Sequence, residues 1–419
     1  MTYSEAIQYI HSRLRFGIRP GLSPIRRLLS LLGNPHEGLV VVHVAGTNGK
    51  GSTCAMLEAV LTAAGYKTGA YYSPYILNFR DRIQIGGVMI GEEALAGLVT
   101  RIRPLVERME AEGEVVTEFE LITALAFRYF FESGCDRIVL ETGLGGRLDA
   151  TNVVVCPKAA VITSISLDHT GVLGDSIKDI AYEKCGIIKE GCPCVSAPGQ
   201  EPEALEVIQN TCAQRNSLLC IPDETKRTVL SATLNGSSFL YQNEKFFVKM
   251  PGTFQLRNAV TAIECARVLG VETSAIGAGL EKAFLPARME VLSQSPFILL
   301  DGAHNPAGAA QLCRTLKELW PCKDAVAVMG MMKDKDCAGV AAILAPLFDR
   351  VYTCAPQNPR AMPARALAQI IERAGGTAMP CDTPEQALGR ALESMSGEEG
   401  LVICGSFYLA SELRGCICD

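Results

Sequence analysis

The sequence predicts an α/β protein of two domains. Its 419 residues exceed what one hydrophobic core supports, since cores stop growing near about 250–300 residues. Short, nearly continuous apolar runs alternate with segments of helical period, as expected of parallel strands buried on both faces. One such run passes straight into a glycine-rich turn and then a helical pattern.

Residues 1–14 mix Glu5, His11 and Arg13 into an apolar period of three to four, which predicts an amphipathic helix rather than a signal peptide. A turn-rich loop over 16–22 precedes a helix over 25–32, closed by Gly33-Asn34-Pro35. The apolar run 39–45 predicts a buried strand, and 52–64 the helix after its glycine turn. Strands follow at 68–72, 137–140, 159–165 and 193–197, giving a doubly wound parallel sheet. Short alternating segments over 228–250, with a turn at Asn235-Gly236, predict a β-rich appendage. The βα rhythm resumes with strands at 297–300, 325–329, 350–354 and 401–404. A proline-containing connector places the domain boundary at 287/288, giving domains 1–287 and 288–419. No internal repeat is evident.

Composition narrows the function. With 48% apolar residues and 20% charged, the chain reads as a globular enzyme rather than a disordered adaptor. A net charge of −6 without a basic stripe argues against nucleic acid as partner. No segment has the length and polarity of a membrane span, and cytoplasmic residence as a monomer is expected. The 17 cysteines include Cys54, Cys265 and Cys404 among small or aliphatic neighbours, the setting of buried thiols in a reducing compartment. The pairs Cys192/Cys194 and Cys416/Cys418 lack the spacing of a zinc site.

The strongest local signal is Gly46-Thr47-Asn48-Gly49-Lys50-Gly51-Ser52, between a strand and a helix. Glycines permit close backbone approach, and a helix N-terminus adds positive potential for phosphate oxygens. Lys50 would reach the β- and γ-phosphates of a nucleotide. Val44 stands where the usual P-loop has its first glycine, and Gly51 where Ser or Thr follows the lysine, which points away from GTPases and motors. The bland alternative is a connecting turn with a solvated Lys50.

Glu141 ends an apolar strand and opens the glycine-rich run 142–149, so it faces the crevice where ligands gather in open α/β sheets. One such carboxylate suits Mg²⁺, which keeps several waters. His169 follows the strand 159–165, and His304 follows 297–300 at the start of a helix. Each could bind a ligand or be structural.

Together these motifs resemble the folylpolyglutamate synthase and dihydrofolate synthase family, within the Mur ligase superfamily. The resemblance is carried by Arg19-Pro20-Gly21, Gly33-Asn34-Pro35, the Gly46 to Ser52 loop, Tyr72-Ser73-Pro74, Glu141 to Asn152, Leu167-Asp168-His169-Thr170, Glu183-Lys184-Cys185-Gly186-Ile187, Arg288-Met289-Glu290, Asp301 to Pro306 and Gly405-Ser406-Phe407-Tyr408. It implies a P-loop-type doubly wound parallel-sheet domain and a smaller C-terminal Rossmann-like α/β domain. It also implies an ATP-dependent ligase adding L-glutamate to tetrahydrofolate, and to dihydropteroate, through an acyl phosphate.

By that resemblance Lys50 and the loop amides hold ATP phosphates, Ser73 and Glu141 bind one Mg²⁺, and His169 helps bind a second. Lys184 corresponds to a carbamylated lysine, and a neutral lysine that captures CO₂ becomes an anionic oxygen ligand. Asn258 and Arg288 would contact the nucleotide, Asp301 its ribose, and His304 the γ-phosphate and glutamate region. Asp149 would read the pterin nitrogens, its bland alternative being a helix N-cap. Tyr75 departs from the family, which commonly carries histidine there. The rival readings are a ligase joining amino acids to a nucleotide-linked cell-wall precursor, a nucleotide-hydrolysing switch, and a binding protein without activity.

Overall fold

The computed structural model describes residues 1–17, 19, 21–320, 324–396 and 399–418; Pro20 of the motifs above lies outside the described residues. The chain forms two compact units. One comprises Met1–Pro74, Arg80–Thr225 and Arg257–Ala283, the other Tyr75–Phe79, Lys226–Leu256 and Phe284–Asp419. The segment expected as a β-rich appendage thus clusters with the later residues, and the passage nearest the expected boundary falls at Ala283/Phe284.

In the first unit the strands are β1 (Val41–Ala45), β2 (Thr68–Tyr71), β3 (Ile83–Ile85), β4 (Val88–Met89), β5 (Arg137–Glu141), β6 (Ala159–Ile162), β7 (Cys194–Ser196) and β8 (Leu219–Cys220). Their order among the described residues is β4-β3-β2-β5-β1-β6-β7-β8. From β2 to β8 the pairing is parallel, whereas β3 and β4 add antiparallel at one edge. This edge hairpin is an addition to the expected parallel sheet. It turns at Gly86 and Gly87, both with positive φ, and it is too short for a periodic signal. β1 is buried along its whole length, as its β-branched run requires.

The chain leaves β1 toward β2 on one side and β6 toward β7 on the other. The β1/β6 crevice is therefore the topological switch point, where open α/β sheets bind ligands. Behind it the helices Ile177–Cys185 and Pro202–Gln214 pack on β6 and β7 through Ile180, Ala181, Cys185, Ala204, Ile208 and Cys212. At the N-terminus the helix is Tyr3–Ser12, begun by a capping box from Thr2 and Glu5, and residues 13–16 tighten into a 3₁₀ turn.

The second unit contains β9 (Arg227–Thr233), β10 (Gly236–Tyr241) and β11 (Glu244–Val248), an antiparallel three-stranded sheet with its first turn at Asn235-Gly236. It also contains β12 (Glu290–Gln294), β13 (Phe297–Leu300), β14 (Ala325–Met329), β15 (Arg350–Thr353), β16 (Ala378–Pro380) and β17 (Gly400–Cys404). These six run in the order β12-β13-β17-β14-β15-β16, all parallel except β12. Leu299, Ala327, Met329 and Val402 meet Leu312, Leu316, Val340 and Leu344 in one core, against which Leu234 and Phe254 also pack. Cys54, Cys265 and Cys404 are buried free thiols, as expected, whereas Cys416 and Cys418 are exposed. Among the described residues no helix is long and apolar enough to cross a membrane.

Candidate active site

The glycine loop sits at the switch point, between β1 and the helix Lys50–Ala63. It is fastened to the segment after β6. Thr47 N and Asn48 N donate to Ser164 O at 2.8 and 3.3 Å. Thr47 Oγ1 donates to Ser166 O at 3.0 Å, and Asn48 Nδ2 donates to Ser166 Oγ at 3.1 Å. Those amides are committed within the protein, whereas the N–H groups of a helix's first turn, here residues 50–52, have no carbonyl of their own helix to bond. Gly49, the N-cap, has φ 86°, and a Cβ there would lie 2.4 Å from Asn258 Oδ1. Only glycine fits, and Asn258 is thereby placed directly over the loop. Ser164 and Ser166 escaped the sequence reading because a serine after a strand carries no motif; their sole cue was position at a strand end.

Two lysines converge on one carbonyl. Lys50 Nζ donates to Gly46 O at 3.1 Å and to Thr47 O at 3.3 Å, while Lys184 Nζ donates to the same Gly46 O at 2.7 Å. Lys184 is only 4% exposed. Burial, and then the charge of Lys50, hold its pKa down to about 7. A buried lysine near neutrality is a nucleophile, unlike an ordinary ammonium.

The sequence holds Lys184 there by close backbone packing. Arg147 N donates to Glu183 O at 2.7 Å, Arg147 Nη2 pairs with Glu183 Oε1 at 2.7 Å, and Asn152 Nδ2 bridges the carbonyls of Arg147 and Gly186 at 2.9 and 3.1 Å. A Cβ on Gly186 would lie 2.4 Å from Arg147 Cα, so the motif 183–187 and the run 142–149 lock together backbone to backbone.

Glu141, at the end of β5, is 4% exposed, and its Oε2 accepts from Ser73 N at 3.2 Å. Two of the expected Mg²⁺ ligands are therefore adjacent. Among the described residues no three His, Cys, Asp or Glu side chains converge as metal ligands. What is present, one buried carboxylate beside a serine, is the sparse oxygen set that Mg²⁺ accepts. His169 adopts φ 52° and N-caps the short helix Thr170–Leu173 with Asp168 Oδ1 3.9 Å from its Nε2; it lies three residues beyond the Ser166 that anchors the loop.

Asp149 is buried, and its bland alternative is realised: it N-caps the 3₁₀ turn Ala150–Val153, with Oδ1 accepting from Thr151 N at 3.0 Å. Oδ2 accepts from Leu144 N at 2.8 Å. Burial raises its pKa, and those donors oppose the rise.

In the second unit, Arg288, Asp301 and His304 form a cluster of their own around Phe407. The Arg288 guanidinium stacks 4.5 Å from the Phe407 ring centre, and the His304 ring lies 5.6 Å from it. Asp301 is buried; its oxygens accept from Met289 N at 2.9 Å and Ala303 N at 2.8 Å, and burial pushes its pKa up. Ala287 and Met289, on either side of Arg288, both have φ 51°, a conformation that costs a non-glycine residue about 1–2 kcal/mol. Glu290 compensates by accepting from Ala287 N at 2.9 Å while Arg414 holds it through Nε and Nη2 at 3.0 and 2.8 Å. His304 Nδ1 lies 2.8 Å from Gly302 O, so that nitrogen carries a proton. Phe407 carries no sequence signal beyond its place in the motif 405–408, yet it supports both the arginine and the histidine.

Comparison with known proteins gives two matching family models, the Mur ligase middle domain over residues 44–266 and the Mur ligase glutamate ligase domain over residues 287–407. The chain is 37% identical to the dihydrofolate synthase/folylpolyglutamate synthase of Bacillus subtilis, covering 98% of each chain. It is 34% identical to the Escherichia coli enzyme of the same description, covering 97% of this chain and 93% of the relative. Among solved structures, the folylpolyglutamate synthase of Mycobacterium tuberculosis complexed with ADP and AMPPCP superposes with a TM-score of 0.91 at 30% identity, covering 100% and 99% of the two chains. An Escherichia coli FolC structure containing DHPP and ADP superposes at 0.86 with 32% identity, covering 100% and 98%.

Proposed function

This chain belongs to the folylpolyglutamate synthase and dihydrofolate synthase family of Mur ligases and is an ATP-dependent glutamate ligase, and we propose that it adds L-glutamate both to tetrahydrofolate and to dihydropteroate. The observation that carries the chemistry is the shared carbonyl of Gly46, with Lys50 and Lys184 both bonded to it. Two ammonium groups on one acceptor repel. Burial, and then that repulsion, bring the pKa of the Lys184 amine down to about 7, where a neutral fraction is available to take up CO₂ as a carbamate.

In the proposed reaction the substrate carboxylate attacks the γ-phosphoryl group of ATP in line. ADP leaves, and the glutamate amine then displaces phosphate from the acyl phosphate to form the amide. Positioning and charge neutralisation carry the first step. Lys50 and the first-turn amides at 50–52 bind the phosphates, and Asn258 closes over them. Arg288 serves the nucleotide and Asp301 its ribose, while His304 serves the γ-phosphate and the incoming glutamate. Asp149 is assigned to the pterin. Ser73 and Glu141 would hold one Mg²⁺, with His169 and carbamylated Lys184 helping to hold a second, and bound Mg²⁺ supplies charge neutralisation to the phosphates.

Full-length similarity to folate enzymes favours this reading over a ligase of cell-wall precursors. The test is a coupled ADP assay with dihydropteroate and tetrahydrofolate offered separately, each with and without glutamate. ADP release should require a pterin carboxylate and glutamate together. Release without either, or only with a nucleotide-linked cell-wall precursor, refutes the proposal.

A further inference from the structure

Beneath the phosphate loop, in the middle of β1, lies a fully buried histidine that the mechanism above does not use. His43 has no solvent exposure. Its Nε2 lies 2.9 Å from Thr151 Oγ1, and the same hydroxyl donates to Asp149 Oδ1 at 2.5 Å. A carboxylate can only accept, so the Thr151 proton belongs to Asp149 and the hydroxyl must receive its other hydrogen bond from His43. This fixes the imidazole as the Nε2–H tautomer. Nδ1 has no hydrogen-bond partner, and burial keeps the ring neutral by pulling its pKa down to about 3.

We propose that His43 and Thr151 are positioning residues for pterin recognition, a hydrogen-bonded relay from the strand that carries the phosphate loop to the carboxylate of Asp149. The relay turns the Thr151 hydroxyl so that it donates to Asp149 and cannot rotate away, which sets the carboxylate plane offered to the substrate's N–H groups. A histidine in a central strand otherwise has little reason to leave a ring nitrogen without a partner in the core. Backbone donors from Thr151 and Leu144 hold the loop in any case, so the relay adds orientation rather than fold. The inference rests on the reading that Asp149 faces the pterin.

The experiment compares full-length wild type with T151V, T151S, H43L, H43Q, the double variant H43L/T151V and D149N. For each, the KM for dihydropteroate, the KM for ATP and kcat are measured, and thermal melts confirm folding. T151V should raise the KM for dihydropteroate about 5- to 10-fold, the worth of one ordinary intramolecular hydrogen bond, with the KM for ATP within about twofold. T151S keeps the hydroxyl and should restore the wild-type value. H43L should follow T151V, H43Q should recover part of the loss through its side-chain N–H, and the double variant should be no worse than T151V alone, since both lesions break one chain. If D149N raises the KM for dihydropteroate but T151V does not, or if T151V raises both KM values alike and T151S fails to rescue, the relay is overturned. If D149N itself leaves the KM for dihydropteroate unchanged, the failure lies in the assignment of Asp149. Should H43L not fold, the contrast between T151V and T151S decides alone.

Discussion

Replacing Lys184 with methionine measures what its burial costs. The amine bonds to Gly46 O at 2.7 Å in a buried setting that holds its pKa down to about 7, whereas in the unfolded chain it returns to about 10.4. Between those values the unfolded state binds more protons than the folded one. Stability therefore rises with pH across the window from about 7 to about 10, is lowest below it, and stops changing above it. At about 1.4 kcal/mol for each tenfold change in proton affinity, the buried amine costs the fold about 4 kcal/mol at pH 7 and about 2 kcal/mol at pH 9. Methionine fills a similar volume without the charge. In CO₂-free buffer, urea unfolding followed by circular dichroism should show wild type gaining about 2 kcal/mol over K184M between pH 7 and pH 9. Bicarbonate at fixed pH should stabilise wild type and not K184M, because a carbamate forms only on the neutral amine of the folded state. Parallel pH profiles for the two proteins would mean that Lys184 is charged and solvated in the native state, with no neutral amine to take up CO₂.

Three further outcomes follow from the geometry. Lys50→Ala should lower kcat/KM by about 10³-fold or more with either pterin acceptor, as loss of a charge-stabilising group does, and retained ADP release in the coupled assay would contradict its role. Gly49→Ala forces a Cβ to 2.4 Å from Asn258 Oδ1 at φ 86°. It should raise the KM for ATP and destabilise the protein by about 1–3 kcal/mol, checked by kinetics and denaturant unfolding. Glu141→Gln should shift the Mg²⁺ concentration for half-maximal activity upward by about tenfold or more, and a Mg²⁺ titration unchanged from wild type would remove Glu141 from the metal site.

Much of this architecture was legible because its signals are local. The run Val41–Ala45 and the glycines after it announce a strand, turn and helix, and the motifs carrying Lys50, Glu141 and Lys184 could be placed on element ends before any coordinates. What was not legible depends on contacts across sequence. Lys50 and Lys184 share one carbonyl over 138 residues of separation between Gly46 and Lys184, and no periodicity encodes that. The hairpin β3–β4 was missed because β4 has two residues, both exposed. β16 was missed because two of its three residues are only partly buried and the third is an exposed proline. The capping of Ala150–Val153 by Asp149 shows the opposite case: a carboxylate followed by Ala-Thr-Asn invites a turn, so the turn and the ligand compete for one side chain.

The division of the chain has a consequence for anyone who would cut it. Backbone passes from one unit to the other at 74/75, 79/80, 225/226, 256/257 and 283/284. A gene split at 287/288 would send Leu234 and Phe254 away with the wrong fragment and strip them from the core built on β13, β14 and β17. The second fragment would then be expected to aggregate rather than fold. Dissection of this ligase by truncation is accordingly unsafe, and its two halves are better separated by point substitution in the intact polypeptide.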